Sequence, residues 1–209
     1  MPHGWPERSP SFAAQCEGGK PAGDVSLVDL SKFDNSQYSP GRGLLLRTVW
    51  YFVSLAVFEG GFFPVSGLKT YLLRLFGARI GVGVNVKPHV RIKYPWRLAV
   101  GDHCWIGQEV WIDNLADVTI GDNVCISQRA YLCTGSHDFR RRTFDLKTRP
   151  IVVRDGAWLG AACVIFQGTC IGANAIVAGG SVVTKNVEPS TIVSGNPATT
   201  IARREPPAD

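Results

Sequence analysis

Several kinds of chemistry are missing from this sequence. Its six cysteines form no Cys-x-x-Cys pair, and its four histidines (His3, His89, His103 and His137) include no close pair. Zinc fingers, thioredoxin-type redox motifs and the three-imidazole zinc site of a γ-type carbonic anhydrase therefore have no support, and no metal is expected. No phosphate-binding P-loop, Rossmann glycine turn or G-x-S-x-G elbow occurs. That sets aside NTP hydrolysis, hydride transfer and an acyl-enzyme serine. Charged residues make up only 19% of the 209 positions. The net charge is +5, but the basic residues are scattered apart from Arg140-Arg141-Arg142, so nucleic acid is not an expected partner. No apolar run reaches the roughly 18–20 residues of a membrane span. The start, Met1-Pro-His-Gly-Trp-Pro-Glu-Arg, lacks a charged segment followed by an apolar core, so no secretory signal is read. The thiols are expected to be reduced and the protein cytoplasmic.

What is present is a period. Between Ile151 and Pro197 a branched aliphatic residue recurs every six positions, at Val153, Leu159, Ile165, Ile171, Val177 and Val183. A small or apolar residue follows four positions after each, at Ala157, Cys163, Thr169, Ala175, Ser181 and Val187. Helices repeat near 3.6 residues and strands near 2, so a period of six fits neither alone. It fits a chain that turns a corner every six residues, with one short strand on each flat side. Three sides make a triangular coil of about 18 residues, and coils stack at roughly the 4.8 Å strand spacing.

The same register runs earlier, through Ile80, Val86 and Ile92, then Val100, Ile106 and Ile112, then Ile120, Ile126 and Leu132. Two-residue slips interrupt it at Tyr94-Pro-Trp-Arg and at Asn114-Leu-Ala-Asp. About five coils are expected, with a loop over 136–150 projecting from the fourth. Residues 1–24 are rich in Pro, Gly and Ser and are expected to be disordered. Residues 25–78 form an N-terminal segment: extended over 25–31, then helical from Leu44 and again over Gly67 to Phe76. The second helix is expected to turn Leu68, Leu72, Leu73 and Phe76 inward and Lys69 and Arg74 outward. This segment either caps the solenoid or lies on a membrane surface through 44–76, and capping is preferred because an open solenoid end exposes unpaired strands. The coil domain spans 79–188, and 189–209 is read as a polar tail. Loops on rigid scaffolds carry sites, so the 136–150 loop is the place to look for function. The prism's outer faces favour a closed cyclic trimer.

The hexapeptide register, Thr134-Gly-Ser-His137-Asp, Gly179-Gly-Ser-Val-Val-Thr-Lys185 and Gly195-Asn-Pro197 resemble the hexapeptide-repeat acyltransferases. Asp29-Leu-Ser-Lys-Phe-Asp-Asn, Ile92-Lys-Tyr-Pro-Trp-Arg and Cys125 to Asp138 are most similar to the exopolysaccharide O-acetyltransferases of the colanic-acid type, beside the maltose, galactoside and nodulation-factor enzymes. The resemblance covers roughly residues 25–204. It implies a mainly β fold, a left-handed parallel β-helix with a short N-terminal helical cap. It also implies a homotrimer with sites at subunit interfaces, acetyl-CoA as donor and a carbohydrate acceptor. Serine or chloramphenicol/streptogramin-type acetyltransferases are the alternative within the enzyme class. A partner-binding solenoid is the alternative outside it.

Carried over residue by residue, His137 matches the catalytic base. Imidazole titrates near pH 6.5 in its free form and can take a proton from a sugar hydroxyl at neutral pH. The amide of Ala161 matches the donor to the oxyanion that forms on the thioester carbonyl. Trp158 matches a residue beside the thioester. Asn114 and Asp113 stand where relatives bind acceptor, and Asp145 where they carry an acidic loop residue that orients the base or binds acceptor. An acceptor-contacting Asn of the galactoside enzymes falls near Glu109, which points to a different acceptor. Arg140 to Arg142 either form a solvated face or bind an acidic sugar or lipid pyrophosphate. Gly160, Gly179, Thr184, Lys185, Arg203 and Arg204 match the CoA groove, although the relatives' first basic position aligns with Thr199.

Overall fold

A computed structural model describes residues 27–60 and 63–206. The expected disordered segment 1–24 lies outside the described residues. Short parallel strands stack into three walls. Wall A holds Arg79–Ile80, Leu98–Val100, Val118–Ile120, Ile151–Val153 and Cys170–Ile171. Wall B holds Asn85–Val86, Trp105–Ile106, Cys125–Ile126, Trp158–Leu159, Ile176–Val177 and Thr191–Gly195. Wall C holds Arg91–Ile92, Trp111–Asp113, Tyr131–Cys133, Val164–Phe166 and Val182–Val183. The coil is the expected left-handed parallel β-helix.

Strand pairing sets the aliphatic residues in register. On wall B, Val86, Ile106, Ile126, Leu159 and Val177 pair in order, and every one is fully buried or nearly so. The small residues four positions on, from Ala157 to Ser181, fill the remaining interior. Large side chains at all of these positions would not fit a prism this narrow. Outside one corner a ladder of carboxylates closes the turns. Asp102 accepts from the Val82 amide (2.8 Å), Asp122 from that of Asp102 (2.7 Å) and Asp155 from that of Asp122 (2.9 Å).

The projecting loop leaves wall C after Tyr131–Cys133 and re-enters wall A at Ile151. It therefore belongs to the third coil, not the fourth. The two slips lengthen the first two coils without adding one: Ile80 pairs with Val100, and Val100 with Ile120. The segment after Glu188 also differs from the expected polar tail. Thr191–Gly195 continues wall B, because Val193 keeps the inward rung, and Ala198–Arg203 folds back antiparallel on it. At the other end Leu30–Lys32 is a 3-10 turn rather than an extended segment.

Two helices, α1 (Leu44–Val53) and α2 (Ser66–Leu75), cover the first coil, and α1 continues as a π-helical turn over Ser54–Glu59. The expected face of α2 is rotated rather than reversed: Leu73 and Phe76 are buried, Leu72 packs against the core and Arg74 is exposed as expected, but Lys69 turns in and Leu68 turns out. Lys69, Thr70 and Leu73 are buried, while Leu68 and Leu75 are exposed. The reason is the open edge of the first coil, whose outward backbone groups have no strand to bond. Lys69 Nζ donates to the Lys87 carbonyl at 3.1 Å. Arg74 donates to the Ile80 and Gly81 carbonyls, Ser66 bridges the Val84 carbonyl and Val86 amide, and Trp50 Nε1 donates to the Ile92 carbonyl. A buried carbonyl left unpaired costs about 1–3 kcal/mol. Satisfying several of them outweighs hiding a leucine.

Candidate active site

The loop is a hairpin, with Gly135–His137 antiparallel to Leu146–Thr148. It rises at the edge where wall C turns into wall A. Gly135 sits close to the second slip, where a Cβ would lie 2.6 Å from a Leu115 methyl and would make that side chain shift. His137 is partly buried. Its Nδ1 lies 2.9 Å from the Phe144 carbonyl. A carbonyl can only accept, so Nδ1 carries the hydrogen, and in the neutral ring the lone pair is on Nε2. Phe144 holds φ +52°, a left-handed conformation unusual for a bulky residue, and its ring stacks on the imidazole at 4.4 Å and 6°. Phe33 packs against the same imidazole at 5.8 Å.

Phe33 belongs to an N-terminal strap that the slips pin down. Tyr38 donates to the Leu115 carbonyl, Trp96 to that of Pro40 and Arg97 to that of Ser39. The strap then reaches the hairpin, where the Asp29 amide donates to the Arg142 carbonyl at 2.8 Å. A cavity of about 450 Å³ opens between the two, lined by Asp34, Asn35, Tyr38, Asp145 and Lys147 among others. Neither Phe33 nor Phe144 was picked out from the sequence as touching His137. Asp29 to Asn35 stood out only as a stretch of resemblance.

Several expected site residues take other roles. Asn114 is fully buried, and its amide both accepts from the Tyr94 N–H (2.9 Å) and donates to the Tyr94 carbonyl (2.7 Å). It clamps one slip to the other and reaches no groove. Asp145 does not orient His137. Its carboxylate pairs with Arg141, and its pKa is held below the usual carboxylate range by hydrogen bonds from Thr143 and Arg141. The orienting group is the Phe144 carbonyl. Asp113 stays at the end of its wall C strand, paired with Lys93 at 3.0 Å. Of the arginine run, Arg140 lies over Phe139, Arg141 pairs with Asp145, and Arg142 receives the strap through its carbonyl.

The opposite edge of wall C, where wall B turns into it, holds the other group of expected residues. Trp158 projects from wall B, half-exposed, with its Nε1 donating to Ser127 Oγ at 2.9 Å. A Cβ on Gly160 would lie 2.5 Å from the Gly179 amide, so this glycine makes room for the next coil rather than for a ligand. A Cβ on Gly179 would stand 3.2 Å from the Ala161 carbonyl and 3.7 Å from its nitrogen, so its absence leaves that amide open. The neighbouring amides of Gly160, Ala162 and Cys163 all donate to carbonyls, whereas the Ala161 N–H has no partner among the described residues. Glu109 sits at this corner two coils below, paired with Arg129 at 2.8 Å. Thr184 and Lys185 are exposed where wall C ends. Arg203 is exposed in the last wall B strand, while Arg204 braces the Gly156 and Asn174 carbonyls, which takes it away from the open Ala161 amide. Cys163 is inert, its thiol pushed up to about 12 by burial. Among the described residues no three His, Cys, Asp or Glu gather to hold a metal.

No family model matches the chain. Among curated proteins it is 36% identical over 178 residues to the "Putative colanic acid biosynthesis acetyltransferase WcaF" of Escherichia coli (strain K12), covering 85% of this chain and 98% of that one. The hexapeptide-repeat containing acetyltransferase VCA0836 of Vibrio cholerae superposes with a TM-score of 0.70 at 32% identity, over 78% of this chain and 92% of that one. This chain belongs to the hexapeptide-repeat acetyltransferases. A second structure of VCA0836, complexed with acetyl coenzyme A, matches at 30% identity and a TM-score of 0.69, over 78% of this chain and 88% of that one. The acetyltransferase uses acetyl-CoA as its co-substrate.

Proposed function

We propose that this acetyltransferase O-acetylates a sugar hydroxyl in the cytoplasm, for exopolysaccharide or another surface glycan, with His137 as general base. The observation that carries the proposal is the bond from His137 Nδ1–H to the Phe144 carbonyl. It leaves Nε2 basic, and two aromatic rings hold its aim. Nε2 takes the acceptor's proton, and the acceptor oxygen forms the new C–O bond to the acetyl carbonyl. The resulting oxyanion is held by the Ala161 amide. The C–S bond then breaks, and the imidazolium returns its proton to the leaving thiolate.

His137 and Ala161 stand at opposite edges of wall C in one chain. The proposed site is therefore shared: His137 of one copy meets the Ala161 amide of a neighbouring copy. A cyclic trimer closes such a head-to-tail contact with three equal sites. The polar cavity between strap and hairpin, with its carboxylates, amide and lysine, suits the hydroxyls of a carbohydrate acceptor. The test is an acetyl-CoA-dependent transfer screen against nucleotide-linked, lipid-linked and free oligosaccharides, read by mass spectrometry. His137→Ala is expected to lower turnover by roughly 10²–10⁴. A variant that keeps most of its activity would remove His137 as the base.

A further inference from the structure

We propose that the outer face of the helical cap docks on an anionic lipid bilayer, lying in the headgroup region without crossing it. The rotation of α2 contributes to that face: Lys69 turns in toward the coil's open backbone, while Leu68 and Leu75 stay outside. Leu68 is 37% exposed and Leu75 65%. On α1, Leu44, Leu45 and Phe52 are exposed at 71%, 79% and 62%. Arg47 is the only charged residue in that helix. Single exposed apolar side chains need no explanation, but several on each of two helices, which meet through the Trp50–Phe76 ring contact, mark an interaction surface. No helix among the described residues is long and apolar enough to cross a membrane.

Charge selects the occupant. Residues 35–101 carry nine Lys and Arg against one acidic residue, Glu59. Lys69 is buried on the Lys87 carbonyl, and Arg91, Lys93 and Arg97 pair with Glu59, Asp113 and Asp117, so the positive charge open to a partner rests on the other five. Arg42, Arg79 and Lys87 are exposed close to the cap in sequence, within the capping segment or on the coil beneath it. A second copy docked on this face would bring like charges together. Anionic headgroups would be attracted by about 1 kcal/mol per basic side chain near the surface, while the leucines and Phe52 enter the acyl boundary. The proposal is independent of the acetyl-transfer reading, which it neither needs nor supports.

The experiment is sedimentation of the full chain with vesicles of phosphatidylcholine alone, and of phosphatidylcholine with roughly one-third phosphatidylglycerol. The expected result is binding to the anionic vesicles at least about tenfold stronger than to the neutral ones. It should weaken as salt rises from about 0.1 M to about 1 M, where the screening length falls from about 10 Å to about 3 Å. Leu45→Glu/Leu68→Glu/Leu75→Glu changes only exposed positions. It should reduce vesicle binding at least about tenfold, with the circular dichroism spectrum and the oligomer size unchanged. Should the triple variant fail to fold, Leu45→Glu alone should still lower binding measurably. Equal binding to both vesicle types, or full binding by a folded variant, would overturn the proposal. A variant that dissociates into smaller oligomers would overturn it in favour of a second copy as the occupant.

Discussion

Replacing Ala161 by proline removes one hydrogen atom from the proposed site and little else. The fold already shows that proline fits this corner. Pro88 lies two residues after Val86, as Ala161 lies two after Leu159, and Val86 and Leu159 belong to one ladder on wall B. The residues that follow, His89 and Ala162, share the same left-handed turn at φ +60° and +56°. The Ala161 N–H makes no bond within the described chain, so proline breaks none. Proline at a compatible site changes stability by about 0.4–1 kcal/mol, in the favourable direction, by restricting the unfolded chain. For a chain of this size that is a shift of only about 1–4 °C in melting temperature. Loss of an oxyanion donor costs about 10²–10³ in turnover, or about 2.7–4 kcal/mol of barrier. The assay pairs steady-state release of free CoA thiol with a thermal melt. A folded Ala161→Pro enzyme with near-native turnover would refute the assignment of this amide.

Two further outcomes follow from the cap and the slips. Lys69→Met keeps the packing volume but strips the donor from the Lys87 carbonyl, and should lower stability by about 1–3 kcal/mol in a denaturant melt. Burial holds the Lys69 pKa below its ordinary value, so the unfolded chain binds that proton more readily. Native stability should therefore gain a component that rises with pH up to about 10.4 and is absent from Lys69→Met. Asn114→Ala orphans both backbone groups of Tyr94 and should cost about 2–3 kcal/mol of stability, with acceptor KM unchanged, since Asn114 is fully buried. A raised KM without lost stability would return it to the acceptor site.

The walls of the prism were legible because a period of six exceeds what local propensity can mimic, and each of its aliphatic positions points inward. His137 was legible because it opens the only long break in that period. The inward turn of Lys69 was not. A lysine beside a leucine-rich stripe reads as facing solvent, and only the assembled first coil reveals the bare Lys87 carbonyl that draws it in. Asn114 misled for a related reason. A polar residue at a slip reads as a groove residue until the other slip, twenty positions away at Tyr94, is seen to bond both ends of its amide. The rings around His137 come from Phe33, far off in sequence, and from Phe144, whose left-handed backbone no propensity favours.

The central claim is that the base and the oxyanion donor come from different copies of the chain. Co-refolding equal amounts of His137→Ala and Ala161→Pro tests it directly, since each is inactive alone. In mixed trimers one copy's His137 meets another's Ala161 amide, and about one quarter of the shared sites regain both groups, so about one quarter of native turnover should return. If turnover stays at the level of the two separate variants, the site lies within a single chain and the account is wrong.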